Sequence, residues 1–142
     1  MGTSFQTSRR VEFCETDMAG IVHFSRFQLW MEQAEHEFLR SRGLSVITKQ
    51  TDGAKISWPR LACACEFHSP VRFEDKVDVT LTLTRIGEKS LTYEAAFEVN
   101  GKKVATGMMR TVCCRVVPGE PLQSTIIPQE FRTALERAAT DS

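Results

Sequence analysis

From Val77 to Thr84 apolar and polar residues alternate without a break, Val77, Val79, Leu81 and Leu83 against Asp78, Thr80, Thr82 and Thr84. A period of two is that of a strand with one face buried. A second alternation runs through Leu91, Tyr93, Ala95, Phe97 and Val99 and closes on Asn100-Gly101, the dipeptide of a tight hairpin turn. Beyond it, Lys103 to Val117 reads as a third, longer strand. Upstream, Leu61, Cys63, Cys65 and Phe67 alternate in the same way, and the segment SPVRFED supplies a proline and two carboxylates for the turn into Lys76. Four strands joined by short connections predict an antiparallel meander, to which Phe5, Thr7, Arg9, Val11 and Phe13 could add a fifth.

Between the first strand and the rest the period changes. Phe27, Trp30, Met31, Ala34 and Phe38 recur every three or four residues, which places them on one face of a helix over 25–42, about 27 Å long. Ser25 and Gln28 fit a capping box, Phe24 and Leu29 a hydrophobic staple, and Gly43 a C-terminal stop. Residues 43–60, with Gly43, Thr51-Asp52-Gly53 and Pro59, read as a long loop in which Trp58 is a candidate pocket wall. After Pro118-Gly119-Glu120-Pro121 the tail becomes polar, with a short surface helix over 128–139. One long helix whose apolar face must be covered, together with strands able to cover it, predicts an α+β arrangement: an antiparallel sheet of about five strands wrapped around one central helix. An open sheet has edges, and pairing of the long strand 103–117 with its copy would protect one, so a homodimer is expected.

A length of 142 residues suits a single domain over 1–142, with the polar tail starting at about 118. With 42% apolar and 25% charged residues and a formal net charge of zero, the chain is neither a disordered tail nor a protein that attracts nucleic acid through bulk charge. No stretch approaches the roughly 20 apolar residues that span a bilayer, and MGTSFQTSRR lacks a signal-peptide core, so a cytoplasmic protein without membrane partners is expected. Gly2 lacks the Ser or Thr at position 6 that myristoylation wants, because Gln6 stands there. Five cysteines, an odd number with no CxxC, argue against a disulfide framework and a zinc ribbon; no metal is expected, and Cys63 and Cys65 read as core packing.

The candidate chemistry lies in CETDMAGIVHFSRF, residues 14–27. Asp17 either stabilises the turn before the helix or is a reactive carboxylate, and an isolated aspartate in such a place is more often the former. Glu32, Glu35 and Glu37 read as solvated helix charges, Glu35 lying nearest the apolar face; His36 falls on the exposed helix side and His68 at a strand end.

The order strand, TDMAGIVHFSRF, long helix, SPVRFED and three strands resembles the hot-dog-fold acyl-CoA thioesterases of the 4-hydroxybenzoyl-CoA thioesterase type, over about Phe5 to Val117, with Asp17, Gly20, Val22 and Phe27 as its most specific part. The resemblance implies that Asp17 is the catalytic carboxylate, a nucleophile on the thioester or a general base for water. It also implies that the backbone N–H of Phe24, at the helix start, binds the developing oxyanion. Gly20, Ile21 and Val22 would form the turn that approaches the substrate closely. Phe24, Phe27, Trp30, Trp58 and the pair Met108-Met109 could line an aromatic or an aliphatic acyl pocket.

His23 stands one position before the place where relatives often carry a histidine; it could line the pocket, orient a water or fill space. In related enzymes the turn matching Arg85 to Ser90 contacts the nucleotide of coenzyme A, which implicates Lys89 and Ser90, with Glu88 where a cation would help. Coenzyme A is then part of the substrate, no separate cofactor is implied, and a homodimer or homotetramer is expected. The thiol carrier could also be an acyl-carrier protein. Two rivals are a hot-dog dehydratase or hydratase, whose histidine motif His23 does not reproduce, and a non-catalytic acyl-CoA-binding module, against which the retention of Asp17 counts.

Overall fold

The structure, a computed structural model, describes residues 3–137. In chain order its elements are β1 (Thr3–Arg10), α1 (Ser25–Ser41), β2 (Ile47–Lys49), β3 (Lys55–Ser57), β4 (Arg60–Phe67), β5 (Lys76–Ile86), β6 (Ser90–Val99), β7 (Lys102–Val112), β8 (Cys114–Val116), β9 (Gln123–Ser124) and α2 (Gln129–Glu136). Five strands make the main antiparallel sheet in the order β1-β5-β6-β7-β4, and α1 packs on one face of it.

The alternating runs account for that packing. Val77, Val79, Leu81 and Leu83 of β5 and Leu91, Tyr93, Ala95 and Phe97 of β6 are buried, and they meet Phe27, Trp30, Met31, Ala34 and Phe38, the helical face that the spacing predicts. The Phe27 ring packs edge-on against Trp30, Phe67 and Phe97, with centroids 5.0, 5.1 and 5.3 Å away. Each fully buried aromatic of this kind contributes about 1.5–3 kcal/mol. Helix and sheet come close because β7 carries Gly107, where a Cβ would stand only 3.0 Å from Met31 Sδ. The result is the expected α+β hot-dog arrangement, a five-stranded sheet around one long helix.

Two punctuation signals also hold. Asn100 and Gly101 have φ of 51° and 80° and join Val99 to Lys102 in a two-residue turn of the mirror-image type that strand twist favours. Gly43, with φ 73°, ends α1: its N–H donates to Arg40 O at 3.0 Å and the Leu44 N–H to Leu39 O at 2.8 Å, the paired bonds of a glycine-terminated helix.

Elsewhere the structure departs from expectation. The strand expected over 103–117 is two: β7 stops at Val112, and the break falls at buried Cys113, whose N–H still donates to Lys89 O at 2.7 Å in the register of the β6–β7 pair. The chain then enters a second sheet, β2-β3-β8-β9. Nor is β7 an edge, since it lies between β6 and β4, and the edge-pairing argument therefore moves to β1 and β4. Only β5, β6 and β7 form a meander. Residues 68–75 carry the chain from β4 to the far side of the sheet, anchored by buried Val71, whose carbonyl accepts the Val22 N–H at 2.7 Å.

Residues 43–60 are not a loop, because β2 and β3 pair within them. Strands of three residues are too short to display a period. The helix after Pro128 is the expected short surface helix: Gln129, Glu130, Thr133 and Glu136 are exposed, while its apolar side buries Phe131 and Leu135, and Phe131 packs on Trp58 at 6.3 Å. Its expected continuation to 139 lies outside the described residues. At the other terminus β1 ends at Arg10, and Phe13 falls in a 3-10 turn (Phe13–Glu15), where it is exposed.

The capping box and staple are absent. Phe24 occupies the N-cap in helical conformation, no side chain caps it, and both Phe24 and Leu29 are exposed. On the edge strand β4, Cys63 is exposed and Cys65 half-buried, so Cys63 is no core residue of this chain. Burial pushes the Cys65 thiol up to about 11.

Candidate active site

Residues 16–22 fold into a tight hairpin because their sequence suits one. Thr16 and Val22 pair, the Asp17 N–H donates to Ile21 O at 2.9 Å, and the Gly20 N–H donates to Asp17 O at 2.9 Å. Gly20 closes the turn with φ 80°, a conformation that costs a residue with a Cβ about 1–2 kcal/mol. Asp17 Oδ1 accepts the Ala19 N–H at 2.9 Å, so the turn-forming role is real and engages one carboxylate oxygen. The side chain is nonetheless exposed, and it borders a cavity of about 560 Å³.

Three segments build that cavity: Asp17, Ile21 and Val22 from the hairpin, Phe24 and Phe27 from the start of α1, and Phe67 to Val71 from the end of β4 and the crossing that follows. At the helix start the Arg26 N–H donates to His23 O at 3.0 Å and the Ser25 N–H to His23 Nδ1 at 3.3 Å. The Phe24 N–H donates to no atom among the described residues. A free N–H at the positive end of a helix of 17 residues, beside a carboxylate and a largely apolar wall, can polarise a carbonyl bound between them.

The structure thus brings together Asp17, Ile21, Val22, Phe24 and Phe27 of the residues singled out from the sequence. Gly20 lies at the turn beside the cavity, its carbonyl 3.4 Å from Arg72 Nη1. His23 does not line it: the imidazole stacks on Phe24 with centroids 4.5 Å apart, and its Nδ1 is 2.8 Å from Ser25 Oγ. Trp30 is buried behind Phe27, with its Nε1 donating to Glu15 Oε2 at 2.9 Å. Trp58, buried under α2, lines no part of this cavity. Met109 is core, and Met108 borders a groove on the opposite face of the sheet.

Lys89 and Ser90 lie at the β5–β6 turn, also outside the lining, and the C-terminal segment ties this turn down. Arg132 Nη2 donates to Gly87 O at 2.7 Å and the Ile127 N–H to Glu88 O at 3.0 Å. His68, which the sequence marks only as the end of a strand, and Ser69, which it does not single out, both border the cavity. The available signal was their position, directly after the alternation ends and before Pro70.

A second group of charges lies apart from the cavity. Arg60, the first residue of β4, donates to both oxygens of Glu35, at 2.6 and 3.0 Å, and to Glu32 Oε2 at 3.1 Å. Glu35 is fully buried, so the expectation of a solvated charge fails there, and Glu37 is paired with Arg9 at 2.8 Å. Burial pushes the Glu35 carboxyl above the ordinary range, against the opposing pull of Arg60. Among the described residues no group of three or more His, Cys, Asp or Glu side chains could hold a metal ion, and no helix is long and apolar enough to cross a membrane.

Comparison with known proteins gives the same picture. The family model of the thioesterase-like superfamily matches residues 11–135. The chain is 31% identical over 128 residues to a putative esterase of Aquifex aeolicus, covering 90% of this chain and 94% of that one. It is 30% identical over 111 residues to a 1,4-dihydroxy-2-naphthoyl-CoA hydrolase of a Synechococcus strain, covering 75% and 74%. Among solved structures, a gentisyl-coenzyme A thioesterase superposes with a TM-score of 0.79 at 28% identity, covering 92% of this chain and 99% of that one. A match running from Val11 to Leu135, on a sheet and helix arranged as in that thioesterase, makes this chain a hot-dog-fold thioesterase, a member of the thioesterase-like superfamily.

Proposed function

We propose that the protein hydrolyses an acyl-CoA thioester to the free acid and coenzyme A, with Asp17 as the reacting carboxylate. The observation that carries this reading is the cavity of about 560 Å³ bordered both by Asp17 and by Phe24, whose backbone N–H is unpaired at the start of α1. Two routes use the same parts. In one, Asp17 adds to the thioester carbon and expels the thiolate, leaving a mixed anhydride that water opens; in the other, Asp17 takes a proton from the water that adds. In both the carbonyl oxygen gains negative charge, which the Phe24 N–H and the positive end of the helix stabilise.

Coenzyme A as the thiol is supported by the names of the relatives, which include a 1,4-dihydroxy-2-naphthoyl-CoA hydrolase and a gentisyl-coenzyme A thioesterase. Lys89 and Ser90 are the proposed nucleotide contacts, on a turn whose carbonyls are held by Arg132 and Ile127. Phe24 and Phe27 supply the apolar wall for the acyl group, with Trp30 packed behind them. A homodimer, or a tetramer built from two, forms through the free edge of β4, where Leu61 and Phe67 are exposed.

Thiol release from a panel of aliphatic and aromatic acyl-CoAs tests the activity. Asp17→Asn, which keeps the shape and the turn-forming oxygen, loses at least about 10²-fold in turnover while still binding substrate. Near-normal turnover in that variant would sink the mechanism, and silence across the panel would favour a binding module.

A further inference from the structure

Glu15, two residues before Asp17, has each of its acceptors engaged. Its Oε1 accepts the Glu12 N–H at 2.8 Å, its Oε2 accepts the Trp30 indole N–H at 2.9 Å, and its carbonyl accepts the His23 N–H at 2.9 Å. Trp30 is 1% exposed and belongs to the second turn of α1, the helix at whose start Phe24 stands. The carboxylate of Glu15 therefore links the segment that enters the Asp17 hairpin to the rigid interior of that helix.

The hairpin's own bonds, Asp17 N–H to Ile21 O and Gly20 N–H to Asp17 O, fix its internal shape and not its position over α1. Its other ties run to Phe13 O, from the Thr16 N–H at 3.1 Å and Oγ1 at 2.7 Å, and to the crossing segment, through Val22 N–H to Val71 O at 2.7 Å and Arg72 Nη1 to Gly20 O at 3.4 Å. The helix α1 also reaches the entering segment through Arg26 Nη2, which donates to Cys14 O at 3.4 Å. From this geometry we propose that Glu15 is a positioning residue, which through Trp30 sets the Asp17 carboxylate against the first N–H groups of α1 and so governs turnover, not substrate affinity. The inference rests on the role of Asp17 given above. Glu15 does not border the cavity, so it acts on the chemistry only through what it holds. A shift of about 1 Å between reacting groups is enough to cost about 10²-fold in rate.

Glu15→Gln preserves shape but breaks the arrangement: an amide offers one oxygen to two N–H donors and turns its own NH2 toward the other. The expected result is a fall in kcat of at least about 10-fold, approaching 10²-fold, with KM for an acyl-CoA within about threefold of the parent. Trp30→Phe removes the donor and shows the same split. If the two act through one bond, the double variant loses no more than about the larger single loss instead of the product of both.

Each variant is checked for its circular dichroism and melting temperature. A folded Glu15→Gln protein with unchanged kcat, equal losses in kcat and affinity, or losses that multiply in the double variant overturns the proposal. Failure of both single variants to fold overturns it too, because the bond is then structural. Asp17→Asn in the same assay separates the two readings: if it keeps turnover, the role of Asp17 falls and this inference with it. If it collapses turnover while folded Glu15→Gln does not, only the inference falls.

Discussion

Replacing Arg60 by methionine removes the cation that holds Glu35, a carboxylate with no exposed surface, and leaves the buried charge with no strong partner. Breaking a fully buried pair from one side costs about 3–5 kcal/mol. Arg60 keeps 27% of its side chain exposed, so water already screens part of the pair and the loss belongs at the lower end, about 3 kcal/mol. For a domain of this size that lowers the melting temperature on the order of 10 °C.

The loss also has a pH signature, because Glu35 titrates above its ordinary value for reasons of burial, with Arg60 pulling the other way. A carboxyl whose folded pKa is raised holds its proton where the unfolded chain has released it. Folded protein then binds more protons than unfolded protein, and stability falls as pH rises from the unfolded value through the folded one. Without Arg60 the folded value rises further. The deficit of Arg60→Met is therefore largest near neutral pH and shrinks below about pH 4.5, where Glu35 is protonated in both states. Urea denaturation at the two pH values, at one fixed protomer concentration, measures it. Adding Glu35→Leu removes the stranded charge and returns most of the loss. A deficit independent of pH, or a double variant no better than Arg60→Met, would refute the reasoning.

Two further outcomes follow from packing. Gly107→Ala places a Cβ 3.0 Å from Met31 Sδ and 3.4 Å from Ala64 O; the methionine end yields and the carbonyl does not, so thermal melting should show a loss of about 1–2 kcal/mol with the fold retained. In thiol labelling at pH 8 followed by peptide mapping, exposed Cys14 reacts in the native protein while buried Cys113, its thiol pushed up to about 12, reacts only on unfolding. Cys63, exposed on the free edge of one chain, is protected in the assembled protein if β4 pairs with a second copy, and full reactivity there would place the interface elsewhere.

The legible parts of the fold were those in which one local period spans a whole element. The runs on β5 and β6 and the three-four spacing from Phe27 to Phe38 each present one face to one partner, so the pattern records the burial. Strand neighbours are not recorded in that way. The alternation on β4 is equally compatible with a place beside β5 or beside β7, and the decision lies in the crossing 68–75, where Val71 locks under the hairpin of Asp17. The short strands β2, β3 and β8 carry no period, and nothing local marks Glu35 as buried, because its partner Arg60 lies 25 residues away in sequence. Likewise His68 and Ser69 join the cavity only through tertiary structure, whereas Asp17, Gly20 and Phe24 were recognisable as a local motif.

At Asp17 the turn-forming role and the proposed catalytic one need not compete. A hairpin closed by glycine in the left-handed conformation favours an aspartate at its first position, because the side chain can accept the N–H two residues on, and Ala19 provides it at 2.9 Å. That bond uses Oδ1 and fixes the rotation of the carboxylate. A carboxylate so held is pre-oriented, and what it requires to act is a reacting atom within reach and a donor on the far side of that atom. For the proposed reaction the cavity beside Asp17 offers the space and the unpaired Phe24 N–H the donor. Asn at position 17 can accept the same Ala19 bond but cannot serve as an anionic nucleophile or a base, so it separates the two roles: the turn persists and, on the proposed mechanism, the chemistry stops.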